Sequence, residues 1–353
     1  MAKKADKADH QHQSSGLHSP ISPEVLHALV HKHFGNHTEV KQYGLLSGGL
    51  FNTTYRIQLE HTKVTDVILR LAPERHVQRF TNICNEDSAQ ADPLFSFERT
   101  MMAAEPVVYE HYRQAGIPAP EVLVSDESGL QVPRTYMFMA FIPSLQLDHS
   151  SIAEEDKEHL YTQLGMYTAA MHQIEGASFG WPQADGTIRG SNRWSEVLRA
   201  LADETIKKAA REAYMPGIGE EITAIFEQHD TLFDQIKQPV LVHNDLWEAN
   251  VLVHGEPGSM SIAAIIDGDR SMFADREYEA ILSTNSQAFH AGYGYALDTS
   301  SEGEARRLAY RLLSSYFNAY VHKHQVNQPV DGQRYEKRTI ELLAQWKRFG
   351  FAK

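Results

Sequence analysis

Apolar positions along this chain recur with two different periods, and the change from one to the other divides it. Up to about residue 142 the apolar runs are short and rich in β-branched and aromatic residues, at 54–59, 67–71, 122–124 and 135–142. Runs of that length and composition between turn-forming clusters predict strands. Two helical patterns interrupt them. Ser22-Pro23-Glu24 offers a capping serine and a proline at the first helical position, and Val25, Leu26, Leu29, Val30 and Phe34 supply one apolar face up to Gly35-Asn36. A second helix is predicted over about 98–115, with Met101, Met102, Val108, Tyr109 and Tyr112 available for packing. Beyond residue 143 the period lengthens: Leu160, Leu164, Tyr167, Met171 and Ile174 form one helical stripe. Residues 194 to about 228 predict a helix broken at Pro216-Gly217. Two more amphipathic helices close the chain, one carrying Leu308, Leu312, Tyr316 and Tyr320, the other Ile340, Leu343 and Trp346. Residues 1–20 are polar and predict a disordered tail, and 73–97 and 181–193 predict exposed loops.

One hairpin inside the second half carries the chemistry. Val251-Leu252-Val253 and residues 262–266 flank a turn with Gly255, Pro257 and Gly258. Pairing those runs sets Asn250, just before the first strand, beside Asp267, just after the second. His243 and Asp245 lie on the approach, in the spacing His-x-Asp-x-x-x-x-Asn. Phosphoryl transfer needs a carboxylate to take the proton of an attacking hydroxyl and hard oxygen ligands to hold Mg²⁺ on the phosphates. Asp245 fits the first role, and Asn250 with Asp267 fits the second. His243 fits a brace of the loop. A hairpin with incidental polar ends is the bland alternative.

This pattern resembles the catalytic loop and metal-binding acid of the protein-kinase-like fold, in the variant used by aminoglycoside phosphotransferases and related small-molecule kinases. The resemblance covers roughly residues 40–300, with the motifs in order. It implies an α+β, two-lobe fold: a small antiparallel sheet lobe over 21–142 and a larger helical lobe over 143–353. It also implies ATP and Mg²⁺ as cofactors. Ser47-Gly48-Gly49 and Asn52 take the place of the phosphate-cradling turn, although the same residues make an ordinary hairpin turn and no G-K-[ST] follows. Arg70 stands where the family usually has a lysine on the α- and β-phosphates. Glu105 is the candidate helix glutamate to pair with it; Glu98 and Glu110 compete for that role, and an outward-pointing Arg70 is the alternative. The backbone around Met139 to Phe141 would meet the adenine. The family's G-D-P-x-x-D-L-A element is altered here to Ala274-Asp275-Arg276-Glu277-Tyr278-Glu279, which keeps Asp275 as the expected brace of the catalytic loop. Asp269 is left as a supporting acid.

Composition narrows the function. The chain has 353 residues, 42% of them hydrophobic, a formal net charge of −13, and a single cysteine, Cys84. The length allows two cored lobes. Lys and Arg form no basic cluster, which argues against nucleic acid as partner, and no apolar run reaches membrane-span length. The N-terminus carries no hydrophobic segment, and one cysteine rules out an intramolecular disulfide, so the cytoplasm is the expected compartment. The expected reaction is phosphorylation of a hydroxyl on a small molecule, such as an aminoglycoside, amino sugar or amino alcohol. The acidic balance is compatible with a cationic acceptor and equally with ordinary solubility. A protein acceptor is disfavoured, because Asp267 to Asp275 is too short for a peptide-docking activation segment. Two rivals remain: a non-catalytic nucleotide-binding pseudokinase, and a metal-dependent hydrolase with His243, Asp245, His254 and Asp267 as ligands.

Overall fold

Ser22 and Gly35 bound the first helix, α1 (Pro23–Phe34): the Ser22 hydroxyl accepts from the Val25 N–H at 3.4 Å, and Gly35 leaves the helix at φ 101°. The computed structural model describes residues 16–46, 49–74 and 93–349. After α1 come β1 (Glu39–Leu45), β2 (Thr53–Glu60), β3 (Asp66–Leu71), α2 (Met101–Gln114), β4 (Val122–Asp126) and β5 (Tyr136–Ala140). The strands form one antiparallel sheet in the order β1-β2-β3-β5-β4. Strand alternation sorts β3 between two faces. Val67, Leu69 and Leu71 join Leu26, Leu29 and Val30 of α1 in one core. Ile68 and Arg70 turn to the opposite face, where α2 lies.

The larger lobe is mainly helical. Its first half holds β6 (Leu145–Gln146), α3 (Glu154–Met171), β7 (Phe179–Pro182), β8 (Ile188–Ser191), α4 (Trp194–Arg211), α5 (Ile218–Gln228) and α6 (Asp230–Phe233). Its second half holds β9 (Val240–Val242), β10 (Val251–His254), β11 (Ser261–Ile265), β12 (Met272–Ala274), α7 (Gln287–Tyr293), α8 (Ser301–Tyr320) and α9 (Pro329–Arg348). The strands make two small sheets, β11-β10-β6 and β8-β7-β12-β9. Trp194, Phe226, Phe233, Leu312, Tyr316 and Trp346 anchor the helical core. The molecule is thus a two-lobe α+β fold, as expected. No helix among the described residues is long and apolar enough to cross a membrane.

Four expectations change. Residues 181–193 are not a loop throughout: β7 and β8 form a hairpin closed at Asp185-Gly186, where Gly186 takes φ 80°. The two strands approach so closely that a Cβ on Gly190 would overlap the Phe179 carbonyl oxygen, and this glycine crossing leaves no apolar alternation to read. Of the 73–97 segment, 75–92 lie outside the described residues, but Leu94, Phe95 and Phe97 are buried in the helical core. The long helix is interrupted earlier than expected, because Ala213 and Met215 adopt φ 48° and 45° ahead of Gly217. Finally, residues 16–20, expected as part of a disordered tail, are held in place: Ser19 donates its N–H to Thr53 Oγ1 at 3.0 Å, and Leu17 is buried. Residues 1–15 lie outside the described residues.

Candidate active site

The β10–β11 hairpin sets the geometry. Val251 pairs with Ile265, and the Ile266 N–H donates to the Asn250 carbonyl at 2.9 Å, so Asn250 and Asp267 end up side by side. Asn250 Nδ2 donates to the Asp245 carbonyl at 2.8 Å and lies 3.5 Å from Asp245 Oδ2, which leaves the Asn250 side-chain oxygen as its remaining ligand atom. Asp267 is in the left-handed region at φ 57°, ψ 45°, a conformation that turns the chain sharply out of β11 and faces the carboxylate into the cleft between the lobes.

His243 is a brace. It is buried, its Nε2–H donates to the Ile266 carbonyl at 2.9 Å, and its Nδ1 accepts the Asp245 N–H at 3.3 Å. Burial holds its pKa below the ordinary imidazole value, which fits a neutral ring used in this way. The carboxylate that fastens the loop from below is Glu279, not Asp275. Glu279 Oε2 accepts the N–H groups of His243 at 2.6 Å and Asn244 at 3.3 Å, where Asn244 sits at φ 62°. Burial pushes Glu279 up to about 7, against those two donors. Asp275 accepts instead from the Glu277 N–H at 3.0 Å and from Tyr310 Oη on α8 at 2.8 Å.

Arg70 points into the cleft. Nη1 reaches both Glu105 oxygens at 2.5 and 2.7 Å, and Nη2 reaches Asp267 at 2.9 Å and Asp269 at 3.1 Å. Tyr109 Oη, one turn along α2, donates to Glu105 Oε1 at 2.6 Å. Burial opposes the charge on Arg70, but Glu105, Asp267 and Asp269 outweigh it and hold the guanidinium well above its ordinary pKa. Desolvation pushes the Glu105 carboxyl up, and Arg70 pulls against that. The two competitors are occupied elsewhere. Glu110 is exposed and pairs with Arg113 at 2.7 Å, while Glu98 meets Arg270 at 3.4 Å.

The glycine-rich turn and the strand leading out of the small lobe hold the remaining expected residues. Ser47 and Gly48 lie outside the described residues; Gly49 is exposed. Asn52 does not face an open phosphate site. It is buried, and its Nδ2 donates to Asp269 Oδ2 at 2.9 Å, tying the turn to the larger lobe. Met139 lies in β5, paired with Ile68 and Val122. The Phe141 N–H donates to the Asp66 carbonyl at 3.1 Å, so this amide is not free for a base.

Sequence reasoning missed Arg270. Its guanidinium sits against Glu98, 5.7 Å from the Phe51 ring and 5.9 Å from the Phe317 ring, and near enough to Asp245 for their charges to interact. The signal was present in I-I-D-G-D-R, where an arginine follows two acids. Burial pushes the Asp245 carboxyl up to about 7; Arg270 resists this shift, while Asp267 and Asp269 add to it. Among the described residues around the cleft, Glu98, Glu105, Asp245, Asp267 and Asp269 face Arg70 and Arg270, with Lys208 near Glu98. The pair of oxygen donors from Asp267 and Asn250 suits a hard divalent cation. It does not suit the hydrolase arrangement, because both His243 nitrogens bond the backbone and His254 is exposed at the far end of β10. The one tight group of metal-type side chains among the described residues, Glu39, Glu60 and His61, lies at the end of the β1–β2 pair and is mostly exposed.

A model of the phosphotransferase enzyme family matches residues 43–313. Among solved structures, a thermostable mutant of the aminoglycoside phosphotransferase APH(4)-Ia, in ternary complex with AMP-PNP and hygromycin B, is 18% identical with TM-score 0.62, covering 93% of this chain and 99% of that one. A candidate fructosamine-3-kinase from Thermobifida fusca YX-ER1 is 18% identical with TM-score 0.58, covering 92% and 98%. At such identities the likeness is one of fold. A search of curated proteins gives no match. The family match spans the glycine-rich turn, Arg70, Glu105, the catalytic loop and Asp267, and on that extent this chain belongs to the phosphotransferase enzyme family.

Proposed function

We propose that this protein transfers the γ-phosphoryl group of Mg²⁺-ATP to a hydroxyl of a small, amine-bearing molecule. The observation that carries the reading is the convergence of Asp245, Asn250 and Asp267 at one end of the β10–β11 hairpin, with Arg70 forked between Glu105 and the acids opposite. Arg70, aimed by Glu105, meets the nucleotide phosphates. Asp267 and Asn250 supply oxygen ligands to Mg²⁺, which when bound neutralises charge on the phosphates. Asp245 accepts the proton of the acceptor hydroxyl as its oxygen bonds to the γ-phosphorus. The bond from that phosphorus to the β–γ bridging oxygen breaks, and ADP leaves with the electron pair. Most of the rate enhancement comes from holding these groups in line in a site where burial strengthens each charge.

The acceptor class rests on one support: a similar structure holds the aminoglycoside hygromycin B beside AMP-PNP. The −13 net charge is compatible with a cationic ligand and equally with ordinary solubility. The cytoplasm, with its ATP supply, is the compartment proposed. The test is ADP release across a panel of amino sugars, aminoglycosides and amino alcohols, each with and without Mg²⁺. Release that rises with one acceptor class and needs the metal supports the reading. Nucleotide binding with no ADP formed under any condition points to the pseudokinase.

A further inference from the structure

Arg56 stands on the cleft face of the small-lobe sheet. On β2, Tyr55, Ile57 and Leu59 point to the α1 side and join its core, so Thr54 and Arg56 turn to the other face. The register carries this across the sheet: Thr54 lies opposite Arg70, Arg56 opposite Ile68, and Ile68 opposite Met139. Arg56 is therefore one two-residue step, about 7 Å, from the row of Arg70, towards the end of β5 where the chain leaves the small lobe. Its guanidinium is fixed in direction and in plane. Nε and Nη2 fork onto Asp66 Oδ1 and Oδ2 at 3.0 and 2.6 Å, and Cζ lies 3.7 Å from the centroid of the Phe141 ring. Asp66 holds both partners, because its carbonyl also accepts the Phe141 N–H at 3.1 Å. The Ala140 N–H is likewise taken, by the Glu121 carbonyl at 2.9 Å. Two amides at the exit of β5 are thus bound within the small lobe, while the Arg56 side chain, held at one edge and on one face, remains 39% exposed.

We propose that Arg56 is a nucleobase contact: its guanidinium stacks on the base of the nucleotide, with Phe141 packed behind it. A guanidinium is planar, weakly hydrated for a cation and suited to stacking on aromatic faces, which a lysine ammonium is not. The Asp66 fork fixes that plane beforehand, which removes an ordering cost from binding. The two-residue step along the sheet matches the order of groups in a nucleotide. With the phosphates at Arg70, the ribose spans the step and the base arrives at the row of Arg56, Ile68 and Met139. Stacking of this kind uses the face of the base and not its hydrogen-bonding edge, so it works where nearby amides are already paired.

The inference rests on the proposed nucleotide site, and one experiment separates the two. Binding of adenosine and of Mg²⁺-AMP-PNP is measured by calorimetry on the full chain, for wild type, Arg56→Leu, Arg56→Lys and Arg70→Ala. The expected result for Arg56→Leu is a dissociation constant about tenfold higher, by the same factor for both ligands, because the contact is to the part they share. Arg56→Lys, which keeps the charge but not the plane, should lose most of the same affinity. Arg70→Ala should weaken Mg²⁺-AMP-PNP alone. Arg56→Lys keeps the stem and a donor for Asp66, so it carries the test if Arg56→Leu fails to fold. Unchanged affinity for both ligands in the folded Arg56 variants overturns the base contact and leaves the nucleotide site standing. So does a loss confined to Mg²⁺-AMP-PNP, or a wild type that binds Mg²⁺-AMP-PNP but not adenosine. No binding of Mg²⁺-AMP-PNP by the wild type removes the site and the contact together.

Discussion

Arg70 differs from a lysine in how many groups it holds at once. Its Nη1 grips both oxygens of Glu105 while Nη2 spans Asp267 and Asp269, a reach that a single ammonium nitrogen lacks. Arg70→Lys therefore keeps the charge but drops part of the grip, and should raise the KM for ATP by less than Arg70→Ala. Arg70→Ala and Glu105→Ala should couple by about 0.5–3 kcal/mol in nucleotide affinity, because each removes the same contact. Purely additive effects would end the pairing. Asp245 gives a second test at this scale. Its carboxyl, lifted to about 7 by burial, is neutral below that pH and cannot take the hydroxyl proton. The acid limb of kcat/KM should therefore fall below about pH 7, not near the ordinary aspartate value. The stability sign follows from the same shift. A carboxyl with a raised folded-state pKa binds more protons folded than unfolded, so its contribution to stability is lost as pH rises from about 4 to about 7. Ligand-free Asp245→Asn should consequently unfold at a higher temperature than wild type, with the gap widening across that window. A gap that narrows contradicts the buried, charged Asp245.

At the scale of elements, the loop carrying His243 and Asp245 is held from two sides, by β10–β11 and by the segment after β12. Glu279 supplies the second hold through the N–H groups of His243 and Asn244. Glu279→Ala leaves two donors without their acceptor, at about 1–3 kcal/mol each. It should lower kcat by more than ten-fold while nucleotide affinity changes less; Glu279→Gln, which keeps one acceptor oxygen, should fall between. If Asp275→Ala lowers kcat and Glu279→Ala does not, the brace is Asp275 after all. Only part of this was legible in the chain. The β10–β11 hairpin could be read because two β-branched runs flank a glycine turn, and pairing them forces Asn250 beside Asp267. The pairing of Arg70 with Glu105 was legible only through the family resemblance, which sets a helix glutamate against the basic residue of this strand; the contact is present at 2.5 and 2.7 Å. The brace could not be read, since Asp275 and Glu279 are both acids flanking the short 3₁₀ turn Arg276–Tyr278, and only the fold decides which reaches the loop. The β7–β8 hairpin was hidden by its glycines, and the buried Leu94, Phe95 and Phe97 by the polar run before them.

Across the whole molecule, the two lobes share apolar packing, with Phe51 and Phe95 in the larger lobe's core and Tyr109 and Met137 against Leu164 and Val251, and they also meet through charged groups. Asn52 and Arg70 of the small lobe both reach Asp269 of the larger one, and Arg270 connects Glu98 to the neighbourhood of Asp245. The account stands or falls on Asp245. The most direct measurement is acceptor-stimulated ADP release by wild type and Asp245→Asn at saturating Mg²⁺-ATP, with nucleotide affinity determined on both proteins. The account predicts equal nucleotide affinity and a turnover about 10²–10⁴-fold lower in Asp245→Asn, the range for a positioned acid–base group. Equal turnover by the two proteins would contradict it.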